Sequence, residues 1–419
     1  IHSHYSRATS GKMNIEELSH YAKLKGLNLL GTGDFTHPLW FKELKEKLKM
    51  VEDGIYEFNG MNFVLSSEIS LTYLQDKKLR KIHLVTLSPS FEIVEQIREW
   101  LLTRGRLDYD GRPTFGMTCP EFAENIMRIS KDNFIIPAHC MTPWFGIFGS
   151  KSGFDSVEEC FQDQTKHIRA IETGLSADPE MLWRISSLDK YALVSNSDAH
   201  SPWPSRIGRE CNVFNLEKLT YTALTNAIKD RDGSKFLYTI EVDPAYGKYH
   251  FDGHRNCNIS LEPKEAKRYD NICPVCKRPL TIGVLHRVEE LADRPEGFVP
   301  KGAIPFKRLL PLAELIANKC GAGPLSKKVF EMERAFIEKF GNELNVLLEA
   351  DESELAKIDD KIAEIIIKNR EEKIKIRPGY DGVYGEPVLN DNEKAVERKP
   401  TKACQENLEK FLMRDESKQ

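Results

Sequence analysis

No apolar run in the 419 residues approaches the roughly 20 needed to cross a bilayer, and no signal peptide is visible, so no membrane partner is expected. An excess of one charge is also missing. Lysine and arginine total 60 against 64 aspartates and glutamates, a net charge of −4. That removes any global pull toward nucleic acid and leaves only local basic surfaces, with candidates at 77–81, 98–112 and 368–377. A disulfide framework is absent. The nine cysteines are odd in number; Cys257, Cys273 and Cys276 fall close together and the other six scatter. This is the pattern of a reducing cytoplasm with one local metal site. An initiator methionine is lacking too. The sequence opens IHSHYSRATS, with His2 and His4 flanking Ser3, and we expect a further ligand upstream of Ile1.

What is present reads as a globular protein, 40% hydrophobic and 30% charged. Over 1–240, short apolar runs at 27–30, 62–65, 82–87, 134–137, 170–172 and 191–195 read as strands, with helical stretches between several of them. Asn14 with Glu17 marks a helix start, and Gly26 its end. The repeated strand–helix order predicts a parallel sheet or barrel. In such folds chemistry gathers at the C-terminal ends of strands. Asp34, His37, Glu68, His139, Asp198 and His200 fall there, and His83 lies within its own run. Residues 241–300 are polar and carry the cysteine cluster, 301–390 are mainly helical, and 391–419 form a charged, flexible tail.

Alternating pairs carry the strongest signal. In extended chain, residues i and i+2 point to one side, so His2 with His4, and Asp198 with His200, each present two ligands to one ion. Imidazole with carboxylate suits zinc, manganese or iron. Helical His20 and His167 read as ordinary side chains. Farther along, His254-x2-Cys257 and Cys273-x2-Cys276 are two knuckles 15 residues apart, the spacing of a tetrahedral structural Zn2+ site. His250 and His286 are rival fourth ligands. Lys264, Lys267, Arg268, Lys277 and Arg278 surround the knuckles and suit a nucleic-acid surface.

The stretches IHSHYS, GTGDFTH, SSEIS, IHLV, PAHC and NSDAHS, in that order, resemble the motifs of the PHP phosphoesterase superfamily. The resemblance implies an α/β fold, a distorted PHP-type (β/α)7 barrel holding up to three ions. Its ligands would be His2, His4, His37, Glu68, His83, His139, Asp198 and His200, with Asp34 behind His37 and with Glu68 and Asp198 bridging. The ions would be zinc, manganese or iron, with Mg2+ an option in turnover. Arg206, a few residues past His200, is expected to contact phosphate and to act with Glu68 and Asp198 in catalysis. Beyond the barrel, KYHFDGHRNC, NICPVCKRPLTIGVLHRVEELADRPEG and RPGYDGVYGEP resemble the endonuclease Q family over nearly the full chain. This implies a zinc ribbon, a helical C-terminal region and a metal-dependent DNA repair endonuclease. Such an enzyme cuts 5′ of hypoxanthine, uracil, xanthine or an abasic site by metal-hydroxide attack, leaving 3′-OH and 5′-phosphate. The runner-up is a PHP-family phosphatase acting on a small phosphate monoester; a third reading is a zinc-ribbon DNA-binding protein with an inert barrel.

Extrusion of the damaged nucleotide is the expected route to selection. The aromatic loop at 143–148 supplies Trp144 and Phe148 as stacking faces, and Lys277 and Arg278 meet the backbone. In the tail, Gln405, Leu408, Phe411 and Leu412 resemble a sliding-clamp box, which implies a clamp as partner besides damaged DNA. A monomer in the cytoplasm, at the nucleoid, is expected.

Overall fold

The computed structural model describes residues 1–388. Its largest sheet contains β1 (Leu29–Gly31), β2 (Lys49–Glu52), β3 (Ile55–Phe58), β4 (Met61–Gln75), β5 (Lys78–Ser88), β6 (Thr114–Phe115) and β7 (Phe134–Pro137). β1 and β6 pair with β4 in parallel, as the strand–helix order predicts. β5, however, runs antiparallel to both β4 and β7. The cause is local. Asp76 and Lys77 adopt left-handed backbone, with φ of 52° and 61°, which gives the tight turn whose twist matches that of the strands it joins. β8 (Ala170–Glu172) and β9 (Ala192–Val194) form a separate parallel pair.

Helices pack on these strands by ordinary patterning. Cys119, Phe122, Ala123 and Ile126 are the buried stripe of the helix Cys119–Ile129, whose first turn is capped by Thr118 accepting from the Glu121 N–H at 3.3 Å. The helix Ile15–Lys25 starts on the Asn14 side chain and ends where Gly26 turns left-handed, φ 100°. One core joins Ile15, Leu18, Phe63, Leu65, Leu84, Phe122 and Ile171.

β10 (Cys211–Phe214) pairs with β11 (Phe236–Glu241), which runs across the position 240 expected as a boundary. A hairpin follows, β12 (Asp252–His254) with β13 (Ile259–Leu261). β14 (Phe306–Arg308) then returns to lie parallel beside β11. A second core gathers Ile240 and Val242 with Leu312, Ile316, Val329, Phe336, Val346, Ile362 and Ile366 of the C-terminal helices. The two cores are clamped together. Buried Lys25 donates through Nζ to Glu343 Oε1 at 2.8 Å and to the Pro204 carbonyl at 3.0 Å. The excursion that contains the hairpin closes on itself, with the Val284 N–H donating to the Tyr249 carbonyl (2.7 Å) and Leu285 to His250 (3.1 Å). No helix among the described residues is long and apolar enough to cross a membrane.

Candidate metal centre

Strand register builds the first donor group. Ser70 pairs with His83 and Glu68 with Val85 across β4 and β5. Glu68 and His83 are therefore diagonal neighbours on one face. Glu68 Oε1 lies 2.5 Å from His83 Nδ1 and 3.6 Å from His139 Nε2, and the two imidazole nitrogens are 3.2 Å apart. His139 sits just past β7 with φ 30°. Glu172, at the end of β8, accepts its backbone N–H at 3.1 Å and holds this unfavourable conformation.

The second group is His2, Asp198 and His200, and the donor atoms of each group lie within 4.8 Å of one another. His2 Nε2 faces Glu68 Oε2 at 3.1 Å and Asp198 Oδ1 at 3.2 Å. Glu68 thus turns one oxygen to each group. Its partner on the far side fixes the chemistry of His2. Asp34, fully buried, lies 3.0 Å from His2 Nδ1 and accepts from Ser3 N–H, Ser3 Oγ and Ser6 Oγ at 2.6, 2.7 and 2.8 Å. With the Nδ1 proton directed at Asp34, Nε2 presents a lone pair to two carboxylate oxygens. Three lone pairs meeting at little over 3 Å call for a cation. The His200 Nδ1 likewise lies 2.9 Å from the Asp198 carbonyl, leaving Nε2 as a donor atom.

The same crowding is visible in proton affinities. Burial resists charge on His2, but Asp34 and hydrogen bonds to Asp198, Asp34 and Glu68 outweigh it and raise its pKa well above the ordinary value. Burial would also raise Glu68 and Asp198. The charges of Arg112 and His83 hold Glu68 well below the usual carboxylate range, and His2 holds Asp198 down. Imidazoles and ionised carboxylates at this spacing fit divalent zinc, manganese or iron.

Arg112 is the residue that motif reading missed. Its Nη1 lies 3.3 Å from Glu68 Oε1 and 3.4 Å from His2 Nε2, and a quarter of its side chain is exposed. The preceding Gly111 lets this loop in, since a Cβ there would meet Asp34 Oδ2 at 2.3 Å. Glu172 was missed as well; it accepts from Asn196 Nδ2 at 2.9 Å behind His139.

Other expected residues sit elsewhere. His4 and His37 belong to neither donor group among the described residues, and the Tyr5 ring packs against both, at 4.1 and 4.3 Å. Arg206, expected to contact phosphate, has its Nη1 on Glu314 at 2.8 Å, on the helix Leu312–Cys320. Phe148 cannot be a stacking face: it is 1% exposed, in the main core. The loop folds it inward because Gly146 and Gly149 allow close approach to the carbonyls of Cys140 and Thr142. Trp144 remains 37% exposed, edge-on to Tyr249, while Phe145 stacks on His83 at 4.2 Å.

His254, Cys257, Cys273 and Cys276 bring four donor atoms within 4.8 Å, the donor set of a closed tetrahedral site. The rivals lie outside this group. His286 Nδ1 is paired with Asp252 at 2.6 Å, and half-buried His250 is pushed down to about 4 by desolvation and by nearby Arg308. Lys277 and Arg278 are exposed beside it. The clamp-like residues Gln405, Leu408, Phe411 and Leu412 lie outside the described residues.

A family model described as the MJ0043 C-terminal domain matches residues 311–373. The uncharacterized protein MJ0043 of Methanocaldococcus jannaschii is 38% identical over 252 residues, 59% of this chain. The match spans only 31% of that relative. The uncharacterized protein YqxK of Bacillus subtilis is 30% identical over 368 residues, 86% of this chain and 88% of that one. The crystal structure of the lesion-specific endonuclease PfuEndoQ from Pyrococcus furiosus is 35% identical with a TM-score of 0.84, over 94% of this chain and 96% of that one. The chain belongs to the endonuclease Q family. A second endonuclease Q structure, in complex with a 27-mer duplex substrate with an abasic lesion at the active site, matches at 34% identity and TM-score 0.84 over 95% of this chain and 98% of that one. As an endonuclease Q the chain is a hydrolase, an endonuclease, with donor groups consistent with metal dependence.

Proposed function

We propose that the chain cuts duplex DNA on the 5′ side of a damaged nucleotide, at hypoxanthine, uracil, xanthine or an abasic site, leaving 3′-OH and 5′-phosphate. The observation that carries this is the pair of donor groups joined by Glu68, with Arg112 beside them, in a chain similar along its length to an enzyme solved with an abasic duplex at its active site. Divalent ions held by His2, Asp198 and His200 and by Glu68, His83 and His139 would acidify water and neutralise phosphate charge. The chain supplies the rest. Asp34 orients His2, Glu172 orients His139, and Arg112 meets a non-bridging phosphate oxygen as charge develops on it.

In this reading 1–240 serves as a PHP-type barrel, with His4 and His37 as added ligands of a third ion. Residues 241–300 are a ribbon whose four ligands hold structural zinc, and 301–390 form the helical domain. Trp144 packs against the extruded nucleotide, and Lys277 and Arg278 contact the DNA backbone. The protein works as a monomer at the nucleoid, tethered to a sliding clamp through its tail. End-labelled duplexes carrying one deoxyinosine, uracil or abasic site test the activity. A nick one phosphodiester 5′ of the lesion, absent from undamaged duplex, is expected. Hydrolysis of small phosphate monoesters with no nicking would overturn the proposal.

A further inference from the structure

His139 and Glu172 of the metal centre lie at the C-terminal ends of β7 and β8, and a second feature sits at the N-terminal ends of the same strands. A cavity of about 550 Å³ opens there, lined by Phe134 at the start of β7, by the segment leading into β8 and by the helix Tyr221–Asp230. Five cationic side chains converge on it: Arg128, Lys131, Lys166, Arg169 and Lys229. Only two carboxylates, Glu124 and Asp132, share the lining. The protein as a whole carries a net charge of −4, so this concentration is not a reflection of composition.

The cations are also little committed: Arg128 donates to the amide oxygen of Asn125. Among the described residues none of the five has a carboxylate oxygen within 4.0 Å, whereas many surface lysines and arginines elsewhere are paired. Lys229 reaches only Asn226 Oδ1, at 3.5 Å. The five are solvent-exposed, so water and salt screen their mutual repulsion, and together they favour an anion in the hollow. His167, in the same lining, shows that field: burial, then the charges of Lys166 and Arg169, lower its proton affinity.

We propose that this cavity binds a phosphate-bearing ligand of about one nucleotide in size, at a site separate from the metal centre. The volume falls within the roughly 300–1,000 Å³ of small-ligand pockets. The separation follows from strand geometry. From Phe134 to Pro137, three steps of about 3.3 Å give roughly 10 Å, and His139 lies beyond that far end of β7. The inference does not depend on which lesion the metal centre cuts.

Titration calorimetry on the full chain with dAMP, and with deoxyadenosine as control, tests it. Binding of dAMP, no heat from deoxyadenosine, and at least a tenfold loss of dAMP affinity in Lys166→Ala/Arg169→Ala are expected. Nicking of a lesion duplex by the same variant stays unchanged, which also reports its folding. A single strand with a 5′-phosphate separates the two sources of the group. Equal sensitivity of that strand to the double substitution assigns the cavity to a strand end, and insensitivity assigns it to a free nucleotide. Undiminished dAMP binding by the variant, or equal binding of deoxyadenosine, overturns the proposal.

Discussion

Glu68 turns its two oxygens to different histidines, and Asp34 works one bond further out, behind His2. Losing Asp34's charge leaves the ligands in place but weakens their orientation. Asp34→Asn is expected to lower affinity for one ion by roughly 10–100-fold, read by metal titration, with nicking recovering as metal is raised. Arg112 should behave differently, because excess metal cannot replace a cation that meets phosphate. Arg112→Ala is expected to lower kcat by on the order of 10²–10³ with little change in KM, and Arg112→Lys to restore part of it. An equal fall in metal affinity in Arg112→Ala would instead make it a support for Glu68. At this scale the sequence was legible at Asp198 and His200, which do share a donor group, although they lie in the loop past β9, with Asp198 at φ 44°, rather than along a strand. It offered Arg112 only as the end of the basic stretch 98–112; its arrival at the centre depends on a glycine-permitted approach of one loop to Asp34, a contact between positions far apart in the chain.

Elements were legible by position more than by direction. Six apolar runs do become strands, but β4 and β5 extend well beyond their apolar cores and fold back as a hairpin. The turn that reverses them, Asp76–Lys77, lacks the asparagine or glycine that usually announces it. Lys77→Gly removes a side chain from left-handed backbone and is expected to stabilise the fold by about 0.5–1 kcal/mol, seen as a higher midpoint in urea. Phe148 shows the opposite failure. An aromatic loop beside a ligand looks like a binding surface, yet burial in the core outweighs exposure for a side chain of that size.

Over the whole molecule, buried charge sets the response to pH. Glu241, on the strand shared by both halves, is pushed up to about 8, by burial first, against hydrogen bonds from Thr239, Ser195 and Thr173. A carboxyl raised in the folded state binds its proton more tightly there than in the unfolded chain. Its contribution to stability is therefore intact below the ordinary value of 4.5 and declines as pH rises from there to about 8. Glu241→Gln should remove that decline. Relative to the natural chain it is expected to gain roughly 2–3 kcal/mol between pH 6 and pH 9, measured by urea unfolding at both values. No gain at pH 9 would mean that the carboxyl is ionised without cost.

The closed stalk at Tyr249–His250 and Val284–Leu285 makes the cysteine-rich excursion a fuse between two circuits. Whatever happens above the stalk is joined to the catalytic region by backbone bonds that do not need the excursion to be folded. Stripping its metal should melt it together with the loop at 379–381, whose Gly379 carbonyl and Asp381 carboxylate accept from the Phe251 and Arg255 N–H groups, and spare the catalytic region. Cys273→Ser is expected to lose one zinc and to bind DNA more weakly, while the ions of the catalytic groups and the main urea transition remain. Elemental analysis beside a melting curve reads both halves of that statement. A chelator acting on this enzyme would then have two separable consequences: a loose grip on the duplex when the thiolate site empties, and a silent catalytic end only when the histidine groups are emptied too.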